Sequence, residues 1–325
     1  MEERKEFKKL AVLTSGGDAP GMNSTIRSVV RAALSSGFEI YGVKRGYTGL
    51  INGEIYKMGT RDVSDILQKG GTFLMTSRCE EMRTPEGVQK GVGMLKTYDI
   101  DGLVVIGGDG SFRGAYELSK AGIPVIGIPA TIDNDVACTE YTVGFDTAMN
   151  TALDALDKLR DTATSHERCE VVEVMGREAG YIALNVGFAA GAEVILIPEI
   201  KYDIDKTVIK SIIDGRNIGK HHYVVVVAEG AGDAKYIADY IQKTTGIEAK
   251  ATILGHIQRG GSPSLRDRLT GSRMGIAAID CFSNGMYNRL VVEKNGKIID
   301  IDIVDGINEK KTITEKELED TKKLF

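Results

Sequence analysis

The sequence predicts an α/β protein made of two doubly wound, three-layer αβα domains with mainly parallel sheets. Three observations carry this. Short, uninterrupted apolar runs recur along the chain and break into turns bearing Gly, Asp, Arg or Glu. Helical periodicity follows several of these turns, with no internal repeat. The length, 325 residues, is about twice that of a typical domain. Runs apolar at every position suit strands covered on both faces, as in parallel sheets.

Leu10 to Thr14 reads as the first strand. It runs into a glycine-rich turn, Ser15-Gly16-Gly17-Asp18-Ala19-Pro20-Gly21-Met22-Asn23, and Asn23 caps a helix from Ser24 to Leu34. The turn is neither G-x-G-x-x-G nor G-x-x-x-x-G-K-[ST], so neither a Rossmann nor a Walker nucleotide site is indicated. Arg27 and Arg31 share one face of that helix, which alone reads as a solvated basic face. A strand follows from Glu39 to Val43, then a loop from Gly46 to Leu50 and a helix from Asp62 to Lys69, stopped by Gly70-Gly71. Arg78, next to Cys79, and Arg83 bring two guanidinium groups into one loop, either a phosphate clamp or two surface arginines.

The central stretch is Leu103-Val104-Val105-Ile106-Gly107-Gly108-Asp109-Gly110-Ser111. It reads as a buried strand delivering a phosphate-binding turn, whose glycines let backbone N–H groups approach an anion; Ser111 then starts a helix reaching Ala121. Asp109 is placed to hold Mg²⁺, although a capped strand-to-helix turn explains the same residues equally well. The strand from Pro124 to Ile128 leads into Ala130-Thr131-Ile132-Asp133-Asn134-Asp135, two carboxylates where ligands bind in open α/β sheets. A turn rich in Asp and Asn is the alternative. Helical spacing from Phe145 to Thr162 predicts a long helix linking two halves. In the second half, Val171 to Val174 leads to Met175-Gly176-Arg177, Val194 to Ile197 to Pro198-Glu199, and Tyr223 to Ala228 to Glu229-Gly230. Ala251 to Leu254 leads to Gly255-His256-Ile257-Gln258-Arg259-Gly260-Gly261, and a helix follows from Asp267 to Phe282. The charged tail from Glu309 to Phe325 has helical propensity.

A net charge of −5 argues against nucleic acid as a partner, so anionic ligands must meet local Arg and Lys clusters. No apolar run reaches the ~18 residues of a membrane span, and the charged stretch Met1 to Lys9 has no signal-peptide core. Four scattered cysteines without a C-x-x-C fit reduced thiols, and a cytoplasmic setting is expected. His166, His221 and His222 lack metal-ligand spacing. Gly, Asp, Thr, Arg, His and Glu at the ends of at least six strands make the composition of a phosphoryl-transfer site, where catalysis is positioning and charge neutralisation.

Leu13 to Asn23, Ile106 to Ser111, Thr131 to Asp135, Val174 to Arg177 and Gly255 to Pro263 together resemble the bacterial ATP-dependent 6-phosphofructokinases, in register from Leu10 to about Tyr287. The resemblance implies phosphorylation of fructose 6-phosphate at its 1-hydroxyl by ATP and Mg²⁺. It implies an ATP-binding domain of residues 1–144 and 256–305 and a sugar-phosphate domain of residues 145–255 and 306–325. Asp133 would be the base, Thr131 would orient the phosphoryl group, and Arg177 would stabilise its charge. Asp109 would hold Mg²⁺; Gly17, Tyr47, Arg78, Cys79, Gly108, Gly110 and Ser111 would contact ATP. Ile132, Met175, Gly176, Glu229, His256, Ile257, Gln258 and Arg259 would line the sugar-phosphate site with Thr131, Asp133 and Arg177. Arg168 and Lys250 would reach the 6-phosphate of a neighbouring subunit in a homotetramer with shared sites. An effector site for ADP or phosphoenolpyruvate would comprise Arg27, Ser28, Val29, Val30, Arg31, Arg160, Gly191, Glu193, Lys220, His221 and His222.

Departures from the family pattern carry information of their own. Lys250 stands where the family usually has Arg, Ala130 where ATP-using members usually have Gly, and Ile218 where a lysine is frequent. Pyrophosphate-using relatives carry Lys at the Ala130 position and Asp at the Gly110 position, so this chain's pair favours ATP. The alternatives are a pyrophosphate-dependent enzyme and a non-catalytic sugar-phosphate sensor. The intact Asp109, Asp133 and Arg177 weigh against the sensor.

Overall fold

The computed structural model describes residues 7–323. The start of the charged N-terminal stretch and the end of the tail lie outside the described residues. The chain divides into two compact units, Met1–Thr147 with Arg259–Lys311, and Ala148–Gln258 with Thr312–Phe325.

The first unit holds a seven-stranded sheet built from β1 (Lys9–Thr14), β2 (Glu39–Val43), β3 (Ile55–Met58), β4 (Gly102–Gly107), β5 (Val125–Pro129), β10 (Arg289–Lys294) and β11 (Lys297–Asp302), in the order β11-β10-β5-β4-β1-β2-β3. The inner pairs are parallel, while β3 and β11 close the edges antiparallel. The all-apolar run Leu103 to Ile106 has both faces covered. Leu103 and Val105 pack with Leu13, Phe112, Leu95 and Leu290 in one cluster, and α1 (Met22–Ser35) packs on α9 (Leu265–Ser283). Each of the four side chains in that run is 0% exposed, which fits a strand sandwiched between helical layers.

The second unit holds a four-stranded, all-parallel sheet ordered β7-β8-β6-β9, from β6 (Cys169–Val174), β7 (Val194–Leu196), β8 (Tyr223–Ala228) and β9 (Ala249–Ile253). Its core joins Val171, Val225 and Val227 to Ile212 of α7 (Lys210–Asn217) and Ile237 and Ile241 of α8 (Ala234–Thr245).

Three expectations fail locally. Gly46–Asn52 is a short helix, not a loop. Asn23 lies inside α1 and caps nothing, its amide donating instead to Lys69 O and Gly70 O at 3.0 and 3.1 Å. Residues 62–69 form consecutive turns, not a helix. Asp65 sits at φ 56°, and the Asp62 carboxylate takes the Gly59 N–H at 2.7 Å, so side chains and a left-handed residue compete with helical bonds. Val63 and Ile66, spaced as on a helix, instead anchor these turns, at 0% and 4% exposure. The β10–β11 hairpin goes unread in the sequence although Asn295-Gly296 signals it; both residues have positive φ, as its tight turn demands.

Candidate active site

In the first unit, β1, β4 and β5 are parallel neighbours, so their carboxyl ends fall on one sheet edge. Ser15 N–H bonds Ile106 O at 2.9 Å and Ala130 N–H bonds Gly107 O at 2.9 Å, which sets the three turns side by side. Gly107 is required there: a Cβ would meet Ser111 Oγ and Ser15 O at 2.5 Å each. From that point α4 (Asp109–Lys120) begins, with Gly108 extended at its N-cap. Among the described residues no side chain caps its first turn, whose amides and dipole are of the kind that suit an anion, and a Cβ on Gly110 would meet nothing within 4 Å. Asp109 is half exposed, one carboxylate oxygen taking Arg113 Nε at 2.9 Å.

The segment from Thr72 to Ser77 is stapled to the first turn. Thr14 Oγ1 donates to Met75 O and Thr76 Oγ1 to Gly16 O, at 2.9 and 2.8 Å; Arg78 and Cys79 follow directly. Arg259 donates from Nη1 to Asp18 O at 3.1 Å, and a Cβ on Gly17 would stand 2.5 Å from that nitrogen. Arg259 is thereby set against the first glycine turn. Tyr47 belongs to the interior: it is 4% exposed and its hydroxyl donates to Ser111 O at 2.6 Å. That bond makes it a brace under α4, and burial pushes its phenol far above the ordinary range.

Asp133 is 1% exposed, and Thr131 Oγ1 accepts its N–H at 3.2 Å. The segment is closed by Asn134 at φ 52°, whose Oδ1 accepts Thr142 N–H at 3.1 Å, and by Thr142 Oγ1 donating to Thr131 O at 2.7 Å. Ile132 is wholly buried.

In the second unit, β6 and β8 end in register, Val174 beside Ala228. Glu229 Oε1 accepts the N–H groups of Gly176 and Arg177 at 3.1 and 2.7 Å, and Gln258 Oε1 accepts that of Met175 at 2.9 Å. The turn is unusual backbone: Gly176 lies at φ 146°, where a Cβ would meet Ala179 O at 2.4 Å, and Arg177 lies at φ 54°. Two acceptors hold a turn that would otherwise relax, fixing the main chain from which the Arg177 side chain projects. Glu199 does the same for Gly180 N–H at 2.9 Å, a role with no local sequence signal. Among the described residues, Gln258 Nε2 is buried with no hydrogen-bond partner. His256 and Ile257 are exposed beside it.

The structure divides the expected sugar-phosphate residues. Arg168 precedes β6 and Met175 follows it, about 23 Å apart at ~3.3 Å per residue. Arg168 pairs with Glu170 at 2.7 Å, Lys250 with Glu248 at 3.0 Å, and Lys250 stands in register with Glu170. These two cations therefore sit together at the far end of the sheet from their own chain's 175–177 turn.

Of the expected effector residues, Arg160 donates to Gly191 O at 3.0 Å and Lys220 pairs with Glu193. His221 stands 3.8 Å from Glu167, and His222 adjoins it. Arg27 and Arg31 belong to the other unit. Between them on α1, Val29 and Val30 are 0% exposed and the Ser28 hydroxyl is bonded to Ser272 O at 2.6 Å. The side chains of Val29 and Val30 are packing groups, and the Ser28 hydroxyl is engaged with α9.

Glycine turns at the carboxyl ends of parallel strands, with a buried carboxylate and a threonine beside them, have the make-up of an α/β phosphotransferase site. The phosphofructokinase family model matches residues 9–282. The chain is 58% identical over 301 residues, 93% of its length and 94% of the relative's, to an ATP-dependent 6-phosphofructokinase of Clostridium botulinum. It is 53% identical to that of Clostridium tetani, over 98% of this chain and 99% of the other. The crystal structure of Pichia pastoris phosphofructokinase in the T-state matches 93% of this chain and 36% of that one, with a TM-score of 0.89 at 33% identity. The chain belongs to the phosphofructokinase family.

Proposed function

We propose that the chain transfers the γ-phosphoryl group of ATP to the 1-hydroxyl of fructose 6-phosphate, giving fructose 1,6-bisphosphate. The observation that carries this is the turn at the start of α4, where Gly108, Asp109, Gly110 and Ser111 place helix amides and a half-exposed carboxylate beside the Thr131–Asp133 segment. Identity above 50% to ATP-dependent enzymes along nearly the whole chain supports the same reading.

In this reading the first unit binds the nucleotide and the second the sugar phosphate. Gly17, Arg78, Cys79, Gly108, Gly110 and Ser111 bind ATP through main-chain amides and one guanidinium. Asp109 suits Mg²⁺ brought in with the nucleotide, because such an ion keeps water and phosphate oxygens and needs only one or two carboxylates. That ion would neutralise charge on the phosphate oxygens. Asp133 accepts the proton of the sugar 1-hydroxyl, and burial keeps bulk water from competing for it. Thr131 orients the phosphoryl group and Arg177 offsets charge on its oxygens. Met175, Gly176, Glu229, His256 and Arg259 hold the sugar phosphate; Glu229 uses one oxygen on the turn and keeps the other for a sugar hydroxyl. Arg168 and Lys250 serve the site of a second copy in a homotetramer, a role supported by their distance from their own chain's turn. Effector control by ADP or phosphoenolpyruvate would use a second site, and Glu193 and Lys220, two of the residues expected there, border a cavity of about 550 Å³ in the second unit. A cytoplasmic setting fits the four unpaired cysteines, and no helix among the described residues is long and apolar enough to cross a membrane.

Parallel assays with Mg·ATP and Mg·pyrophosphate test the reading. Turnover of fructose 6-phosphate with ATP and almost none with pyrophosphate is expected; the reverse preference, or none with either, overturns it.

A further inference from the structure

We propose that Asp267 is a positioning residue for phosphoryl transfer, holding the 142–147 segment against which the Thr131–Asp133 segment is built. The proposal rests on Asp133 being the base.

A helix start leaves backbone N–H groups that need acceptors, usually supplied by an N-cap side chain. The long helix α5 (Phe145–His166) is preceded by Gly144, which has no side chain to offer. Only glycine fits there: φ is 108°, and a Cβ would meet Ala19 Cβ at 2.6 Å. The missing acceptor comes from α9, more than a hundred residues along the chain. Asp267 Oδ1 accepts Gly144 N–H at 2.8 Å, and Oδ2 accepts both Thr147 N–H at 2.8 Å and the Thr147 hydroxyl at 2.5 Å. The clasp is reciprocal, since Thr147 Oγ1 accepts Ser264 N–H at 2.9 Å and Ser264 Oγ accepts Asp267 N–H at 3.2 Å. Asp267 is 0% exposed, and its burial lifts the carboxyl above its ordinary range. A costly group is kept there because both oxygens are in use.

The clasped segment is also the frame of the base. Val143 N–H bonds Pro129 O at 3.0 Å, Val143 bridges Ala130, and Thr142 bonds both Thr131 O and the Asn134 side chain. A shift at residues 142–147 therefore moves Thr131 and Asp133 together. An amide at position 267 would turn an NH₂ toward an N–H donor, so asparagine cannot reproduce the clasp.

The test uses the full chain with Asp267→Asn, Thr147→Val and Thr147→Ser, reading kcat, KM for ATP and fructose 6-phosphate, ATP-binding stoichiometry and amide exchange over residues 129–147. Misplacement near 1 Å costs up to about 100-fold in rate. Asp267→Asn and Thr147→Val are expected to lower kcat per ATP-binding site by about 10- to 100-fold, with both KM values within about threefold and faster exchange at 131–144. Thr147→Ser, which keeps the hydroxyl, is expected to retain most of kcat. Wild-type kcat per binding site in Asp267→Asn, or in Thr147→Val if the former does not fold, overturns the proposal. Full turnover in Asp133→Ser would instead overturn the reading on which it rests.

Discussion

Gly110→Asp separates a functional glycine from a structural one three residues away. A Cβ at Gly110 meets nothing within 4 Å, and the position lies in the first turn of α4, where an acidic side chain favours the helix dipole. The variant should fold with its Tm unchanged or slightly raised. Bound ATP is another matter. A carboxylate ~5 Å from a phosphate, at an effective dielectric near 20, costs about 3 kcal/mol, or roughly 200-fold in kcat/KM for ATP. Gly107→Ala should behave oppositely, because its Cβ lands 2.5 Å from the Ser15 carbonyl, which cannot rotate away. About 1–3 kcal/mol of stability should be lost. A coupled assay at saturating fructose 6-phosphate, with thermal unfolding of both variants, supplies the comparison. An intact Gly110→Asp protein with wild-type kcat/KM for ATP would refute phosphate binding at the α4 N-terminus.

Three further outcomes are expected. Glu229→Ala releases two N–H groups of the 175–177 turn and should raise KM for fructose 6-phosphate by about 10-fold or more, leaving that for ATP within about threefold; equal effects on both would remove Glu229 from the sugar site. Tyr47→Phe loses the bond to Ser111 O and should cost about 1 kcal/mol in denaturant unfolding, while KM for ATP stays within about threefold; a large KM effect would restore Tyr47 as an ATP contact. Asp267, lifted from 3.8 to about 6 by burial, binds more protons folded than unfolded between those values. Its contribution is therefore fully present below 3.8 and falls as pH rises through 6, by about 3 kcal/mol in all. Relative to Asp267→Asn, the wild type should lose about 1.4 kcal/mol of stability between pH 5 and pH 8; a difference constant with pH would contradict the burial argument.

What could be read from the sequence follows the range of the interaction. Leu103 to Ile106 and the glycines after them carry their structure locally, as apolar faces and absent Cβ atoms. The 62–69 stretch misleads because Val63 and Ile66 have helical spacing, while the left-handed Asp65 leaves no trace in a hydrophobic pattern. Roles that depend on distant partners are invisible along the chain. Gln258 reaches Met175 across 83 residues and Asp267 reaches Gly144 across 123. The resemblance marks Tyr47 as a ligand contact, while its bracing bond to Ser111 O, 64 residues away, has no sign in the local sequence.

The central claim is that Asp133 takes the proton of the sugar hydroxyl, and Asp133→Ser tests it most directly. A general base contributes about 100- to 10,000-fold and acts in the transition state. With Mg·ATP saturating, kcat should fall by at least that lower figure, while equilibrium binding of fructose 6-phosphate changes by less than about threefold. Turnover near wild type, or a loss of binding as large as the loss of kcat, would contradict the account.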